Sequence, residues 1–213
     1  MIFEMHTCTL KSRSVAEVEA RFQGALGDRV RLSALGGFWR TEVGVLNQII
    51  ALWPYADEAD RARVHAGLKG MHGWFPDSQE FVLEQDEMVF TAAPFSPPIE
   101  PRRLGSLYEI RTYTYATEKI PEVMDAWTEL LPERLKYSPL VAAGYSQRGA
   151  VSLWVHIWAY PNAAERERVR VAVARAGIWP ISVVDQRLKR EPRAVSLRMQ
   201  NTLVVPAPFS PLC

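Results

Sequence analysis

The chain has 213 residues, 48% of them hydrophobic, enough for one large core or two small ones. A formal charge of +1 argues against broad electrostatic attraction to nucleic acid or an acidic membrane surface. Two cysteines, Cys8 and Cys213, with no CxxC pair, exclude a disulfide framework and a zinc-finger motif and suit a reducing compartment.

The first residues lack a basic stretch followed by an apolar run, so no signal peptide is expected. The longest apolar stretches, near residues 49–53 and 153–160, are too short to cross a bilayer. A cytoplasmic protein without membrane or nucleic-acid partners is the expectation.

Residues 2–9 alternate Phe3, Met5 and Thr7 with Glu4, His6 and Cys8, which predicts a strand. Ser14 and Glu17 fit a capping box, and Val15, Val18, Phe22 and Leu26 follow helical spacing up to a stop at Gly27. Residues 38–43 and 46–53 read as a hairpin turning at Gly44 and ended by Pro54. Asp57 caps a helix to about Met71, with Asp57 and Arg61 as a surface pair. A short strand over 85–91 follows. Residues 93–101 hold four prolines and read as a stiff, extended linker.

The same pattern then recurs. Residues 52–64 and 157–169 align without a gap at an offset of 105, matching Trp53 to Trp158, Tyr55 to Tyr160 and Arg61 to Arg166. The strand over 107–114 matches 2–9, with Glu4/Glu109 identical. Ile120, Val123, Trp127 and Leu131 mark the next helix, Gly149 the hairpin turn, and Asn162 the cap of a helix stopping near Gly177. Ala-Pro-Phe-Ser-Pro closes both copies, at 93–97 and 207–211. The offset has grown to 114 there, which places a nine-residue insertion in the connection over 180–192.

Each copy reads βαββαβ, the ferredoxin-like arrangement of one antiparallel sheet with both helices on one face. The expected fold class is α+β: two tandem ferredoxin-like repeats, 1–97 and 106–213, joined by a linker over 98–105. Their bare sheet faces would pack together as an intrachain dimeric α+β barrel. On this reading the more apolar sets, Phe3/Met5/Thr7 and Tyr108/Ile110/Thr112, and the aliphatic Ile50/Leu52 and Val155/Ile157, face the helices. The opposite set faces the space between the sheets: Glu4, His6, Trp53, Glu109, Arg111, Tyr113, Trp154, His156 and Trp158. An apolar space with a few convergent polar groups is what a ligand site looks like. A purely structural polar network is the competing account.

Residues 108–113 (Tyr-Glu-Ile-Arg-Thr-Tyr), the stretch from Trp158 and Tyr160 into 162–168, and the closing Phe209-Ser-Pro-Leu212 together resemble the NIPSNAP family, in two tandem copies across the whole chain. The resemblance implies the dimeric α+β barrel fold and no established reaction. The first copy departs from the pattern, with His6 where Arg111 stands and Cys8 where Tyr113 stands.

The expected function is the binding of a small apolar or aromatic oxygenated ligand between the sheets, possible substrate of cofactor-independent acid/base or monooxygenase chemistry by fold-level analogy. Trp53, Trp154 and Trp158 would stack on the ligand, with Glu4, His6 and Tyr113 beside it. Arg111 would hold an anionic oxygen, and Glu109 or His156 would move a proton. Whether the chain is an enzyme stays open; a non-enzymatic interaction protein with a filled interior is the alternative. No cofactor is expected, because no GxGxxG, GxxxxGK[ST] or GxSxG motif occurs. No metal site is expected either, since Glu4, His6, Glu109 and His156 have no ligand spacing. Cys8 with His6 as base is a weak nucleophile candidate. His65 and His72 read as a surface pair, the basic run 187–193 as a solvated loop. Homodimerisation is compatible with the sequence but not required by it.

Overall fold

The computed structural model describes residues 1–69, 78–187, 189, 191, 192 and 194–213. The first repeat runs β1 (Ile2–Leu10), α1 (Val15–Arg29), β2 (Gly37–Val43), β3 (Gln48–Tyr55), α2 (Glu58–Lys69) and β4 (Val82–Ala92). The second runs β5 (Leu107–Ala116), α3 (Ile120–Leu135), β6 (Leu140–Arg148), β7 (Val151–Tyr160), α4 (Ala163–Arg175) and β8 (Arg198–Pro206). An additional helix, α5 (Ile181–Arg187), occupies the inserted connection, where only a loop was expected.

Several local expectations hold. Asp57 Oδ1 accepts from the Asp60 amide at 2.8 Å, and Asn162 Oδ1 from the Glu165 amide at 2.9 Å. Gly149 turns its hairpin at φ +67°, a conformation open to glycine at little cost. Others do not. The Ser14 hydroxyl donates back to the Lys11 carbonyl at 2.7 Å, so no capping box forms, and Glu17 pairs with Arg21 instead. Helix α1 passes through Gly27 to Arg29, and β3 passes through Pro54 to Tyr55. The expected end of α2 at Met71, the His65–His72 pair and part of the basic run 187–193 lie outside the described residues. No described helix is long and apolar enough to cross a membrane.

The chain forms two compact units. Unit 1 comprises Met1–Thr91, Ile99–Arg103 and Thr202–Cys213; unit 2 comprises Ala92–Pro98 and Leu104–Asn201. In unit 1, β1 lies between β3 and β4, β3 pairs β2, and β2 pairs the end of β8, all antiparallel. In unit 2, β7 lies between β5 and β6, again antiparallel.

The two copies of Ala-Pro-Phe-Ser-Pro are therefore exchanged. Residues 93–97 end the first repeat but belong to unit 2. There the Ala93 amide donates to the Ala143 carbonyl at 2.9 Å, Ser96 Oγ accepts from the Ala143 amide at 3.0 Å, and Phe95 stacks on Trp127 at 5.9 Å. Residues 207–211 end the second repeat but belong to unit 1. The Ala207 amide donates to the Phe38 carbonyl at 3.1 Å, Ser210 Oγ accepts from the Phe38 amide at 3.0 Å, and Phe209 packs on Phe38 and Phe22. The proline-rich stretch is thus partly core, not only linker.

Each core shows which sheet face the helices cover. In unit 1, Val18 and Phe22 of α1 and Val64 of α2 cluster with Cys8, Ile49, Ala51, Trp53 and Tyr55. In unit 2, Val123, Trp127 and Leu131 of α3 and Val169 and Val173 of α4 cluster with Trp154, Trp158 and Tyr160. This reverses the expected assignment. The polar and aromatic set faces each unit's own helices, while Phe3, Met5, Ile50 and Leu52, with their counterparts in unit 2, lie buried on the other face. The reason lies in the second helices. Helix α2 buries only Val64, and α4 only Val169 and Val173; much of what they bring to the sheet is arginine. A face covered by guanidinium groups needs carboxylates and aromatic rings beneath them, not aliphatic side chains.

Candidate functional site

In unit 2, Glu109 projects from β5 toward α4 and is 1% exposed. A buried carboxylate must be paired, and this one is. Arg166 Nη2 lies at 2.6 Å, Arg111 Nη1 at 2.9 Å and Asn201 Nδ2 at 3.1 Å from its Oε1, with Arg170 at 3.4 Å. Burial would raise the Glu109 carboxyl, but the Arg166 hydrogen bond and the charges of Arg111, Arg166 and Arg170 outweigh it and hold the group below its ordinary value. Arg166 is thus turned into the cluster, whereas Arg168 faces solvent.

Beside this cluster Arg134, in the last turn of α3, is 3% exposed. Its guanidinium lies 4.1 Å over the Trp158 ring and donates to the hydroxyls of Ser138 at 2.8 Å and Tyr160 at 3.3 Å. Its Nε finds no acceptor among the described residues.

His156 stands opposite Arg111 on β7. Its Nδ1 accepts from Trp158 Nε1 at 2.7 Å, so in the neutral ring the proton sits on Nε2. That Nε2 is buried without a partner among the described residues. Burial, then the Arg111 and Arg134 charges, push the imidazole well below its ordinary pKa.

These groups enclose a cavity of about 120 Å³, lined by Glu109, Arg111, Tyr113, Arg134, His156, Trp158, Tyr160 and Arg170, with Trp179 and Pro180 at one side. Tyr113 hydroxyl accepts from Arg111 Nε at 2.7 Å. Trp154 does not line it. Instead Trp154 packs on Trp127 at 5.2 Å and Phe95 at 6.2 Å, as core.

Unit 1 has a second cavity at the equivalent place, about 360 Å³ in volume, lined among others by Glu4, His6, Phe22, Arg29, Trp53 and His65. At the 105-residue offset, smaller side chains stand in this unit: Ala51 for His156, Cys8 for Tyr113 and Phe22 for Trp127. Arg29 lies 3.8 Å over Trp53 and donates to Ser33 and Tyr55, as Arg134 does to Ser138 and Tyr160. Glu4, also 1% exposed, is held by His6, Arg61 and His65. Burial opposes its ionisation, but these three partners prevail and bring its pKa to about 2. His65 therefore belongs to this cluster. Arg61 likewise reaches Glu4, Glu58 and Glu87 instead of forming the expected pair with Asp57. Cys8 is 2% exposed and burial raises its thiol to about 11, which removes the thiolate a nucleophile needs.

The expected site residues are therefore divided. Glu4, His6 and Trp53 line the unit 1 cavity; Glu109, Arg111, Tyr113, His156 and Trp158 line that of unit 2. Sequence reasoning missed Arg29, Arg134, His65, Arg170, Glu87 and Trp179. A signal was present for the first two, since Arg29/Ser33 and Arg134/Ser138 recur at the same offset as the Trp-Tyr pairs they contact.

The fold is shared with solved structures of very low sequence similarity. An anthrone oxidase-like protein superposes with a TM-score of 0.59 at 12% identity, covering 99% of this chain and 93% of its own. A monooxygenase-like protein of Lactobacillus acidophilus NCFM gives 0.64 at 8% identity, covering 96% and 92%. The chain is accordingly an α+β protein of two tandem ferredoxin-like repeats, in the class of the dimeric α+β barrels. The NIPSNAP family profile matches residues 3–97 and 108–211, and the chain belongs to that family. The NipSnap homolog of Dictyostelium discoideum is 25% identical over 186 residues, 84% of this chain and 78% of that protein. NipSnap homolog 1 of Danio rerio is 22% identical over 181 residues; this chain spans 62% of its length.

Proposed function

We propose that the unit 2 cavity binds a small single-ring oxygenated molecule carrying negative charge: a carboxylate, phenolate or enolate. The observation that carries this reading is the His156 Nε2–H, fixed as a donor by Trp158, buried and without an acceptor among the described residues. Arg134 Nε is a second such donor at the same cavity. Each unpaired buried donor costs about 1–3 kcal/mol, which an acceptor on a ligand would relieve. Three arginines against one carboxylate in the lining favour an anion. The volume suits one ring, since a buried cavity of roughly 150 Å³ accepts benzene.

His156 acts here as a donor, not as a base, because Nδ1 is occupied and the ring resists protonation. Glu109 is saturated by its arginines and serves to hold them. The site is thus built to stabilise negative charge on a bound oxygen, favouring ionisation of an enol or phenol. The resemblance to the anthrone oxidase-like protein is one of fold and supports no substrate.

Isothermal titration with benzoate and its neutral isostere benzamide tests this. Benzoate is expected to bind once per chain and benzamide at least about tenfold more weakly, the difference of one charge-assisted hydrogen bond. Arg134→Met should abolish benzoate binding. Equal binding of benzamide, benzoate binding unchanged in Arg134→Met, or no binding at all would overturn the reading.

A further inference from the structure

The two buried glutamates, Glu4 and Glu109, are the same residue in a duplicated chain, but their surroundings have diverged in one direction. Around Glu109 stand Arg111 on β5, Arg170 on α4 and Asn201 on β8. At the matching positions of the first repeat stand His6, His65 and Glu87. Two replacements exchange a guanidinium, which does not ligate metals, for an imidazole, and the third exchanges a neutral amide for a carboxylate, a stronger ligand for divalent ions. The cation that touches the glutamate in both copies is Arg61, equivalent to Arg166.

The backbone fixes this set. Glu4 and His6 are two apart on β1 and so share a face. Glu87 is the direct cross-strand partner of His6 on β4. One ligand atom from each of the three lies within 4.8 Å of the others. His65 Nε2 approaches Glu4 Oε2 at 2.9 Å from α2. The cluster borders the unit 1 cavity, which its residues Glu4, His6 and His65 line.

We propose that unit 1 binds a divalent transition-metal ion through Glu4, His6 and Glu87, with His65 as fourth ligand from α2. Two imidazoles and two carboxylates form a mixed nitrogen and oxygen set suited to Zn²⁺, Co²⁺, Mn²⁺ or Fe²⁺ rather than to Ca²⁺. Charge favours such an ion. Glu4 and Glu87 carry two negative charges and Arg61, in contact with both, carries one positive charge. Around Glu109 the balance is the reverse, with three arginines about one carboxylate, so unit 2 repels a cation. For Glu4, His6 and Glu87, whose ligand atoms lie within 4.8 Å of one another, closure is a short movement, since tetrahedral ligand atoms at metal bonds of about 2.1 Å lie roughly 3.4 Å apart.

The test uses the full chain and Co²⁺ as a visible probe, with bound metal counted after equilibrium dialysis. Wild type is expected to bind one Co²⁺ per chain and to develop d–d absorption in the visible. Glu87→Asn, a half-exposed position that leaves the core untouched, should weaken binding at least about 100-fold, as should His6→Arg, each restoring the second copy's residue. Cys213→Ser should bind as wild type does. Circular dichroism melting establishes that each variant is folded. Less than half an equivalent bound by wild type, equal binding in Glu87→Asn, or loss of binding in Cys213→Ser would overturn the proposal.

Discussion

The Nδ1 atom of His156 accepts a hydrogen bond from the indole N–H of Trp158, two residues along the same strand, at 2.7 Å. Both side chains are 1% exposed. This bond assigns the tautomer and, with burial and two arginines, keeps the ring neutral. The unfolded chain protonates the same histidine near the ordinary imidazole value of 6.5, so below that pH the unfolded state binds the extra proton. Stability contributed by the neutral ring is therefore present above pH 6.5 and declines as pH falls, at up to about 1.4 kcal/mol per pH unit for this one group. Urea unfolding between pH 7.5 and 5.5 should show a shallower loss of stability in His156→Gln than in wild type. Parallel profiles would show that His156 does not stay neutral in the folded chain.

Arg134 and the stability of the ligand-free protein are expected to be in conflict. A buried guanidinium bonded to two hydroxyls rather than to a carboxylate carries a desolvation cost, and burial lowers its pKa accordingly. Arg134→Met keeps the length of the side chain and its packing on Trp158 without the charge. Its unfolding free energy should lie within about 1 kcal/mol of wild type, or above it. A loss of several kcal/mol in chemical denaturation would mean that the arginine is there for structure alone.

Glu109 behaves oppositely. It forms ion pairs with Arg111, Arg166 and Arg170. Glu109→Gln leaves those charges half-buried without their counter-ion and should cost about 3 kcal/mol. Because the folded pKa of Glu109 is depressed, its contribution is complete above the unfolded value of 4.5 and is lost as pH falls through the folded value. The stability difference between wild type and Glu109→Gln should therefore shrink on acidification below pH 4.5, as measured by thermal melting at each pH.

The exchanged segments make a regional prediction. Phe209→Ala removes a ring that packs on Phe22 and Phe38, and should cost about 2 kcal/mol for a half-buried phenylalanine. Although Phe209 ends the second repeat, hydrogen exchange should accelerate in β2 and α1 of unit 1. Phe95→Ala should do the same for α3 and β6 of unit 2, where its ring stacks on Trp127. Acceleration confined to the repeat that carries each mutation would contradict the exchange.

The duplication and the alternation of strands with helices were legible because period and spacing are local properties of the chain. The two faces of β1 and β5 were also separable, as the pleat guarantees. Which face the helices cover was not. The usual preference for apolar contacts pointed to Phe3, Met5, Ile50 and Leu52, yet Arg61, Arg166, Arg29 and Arg134 enter from the helices and require Glu4, Glu109, Trp53 and Trp158 beneath them. That pairing is long-range, and only the shared 105-residue offset hinted at it. The exchange of residues 93–97 and 207–211 left no local trace, because identical sequences end both copies. Helix α5 sits in the insertion, where no second copy was available for comparison.

The most direct test of the central claim is a ¹⁵N–¹H spectrum of the side-chain indoles and imidazoles during a benzoate titration. The His156 Nε2–H and Trp158 Nε1–H signals should shift together and saturate at one equivalent, while Trp39, outside the cavity, stays fixed; in Arg134→Met neither should move. A titration in which His156 and Trp158 remain still, or move equally in Arg134→Met, would contradict the account.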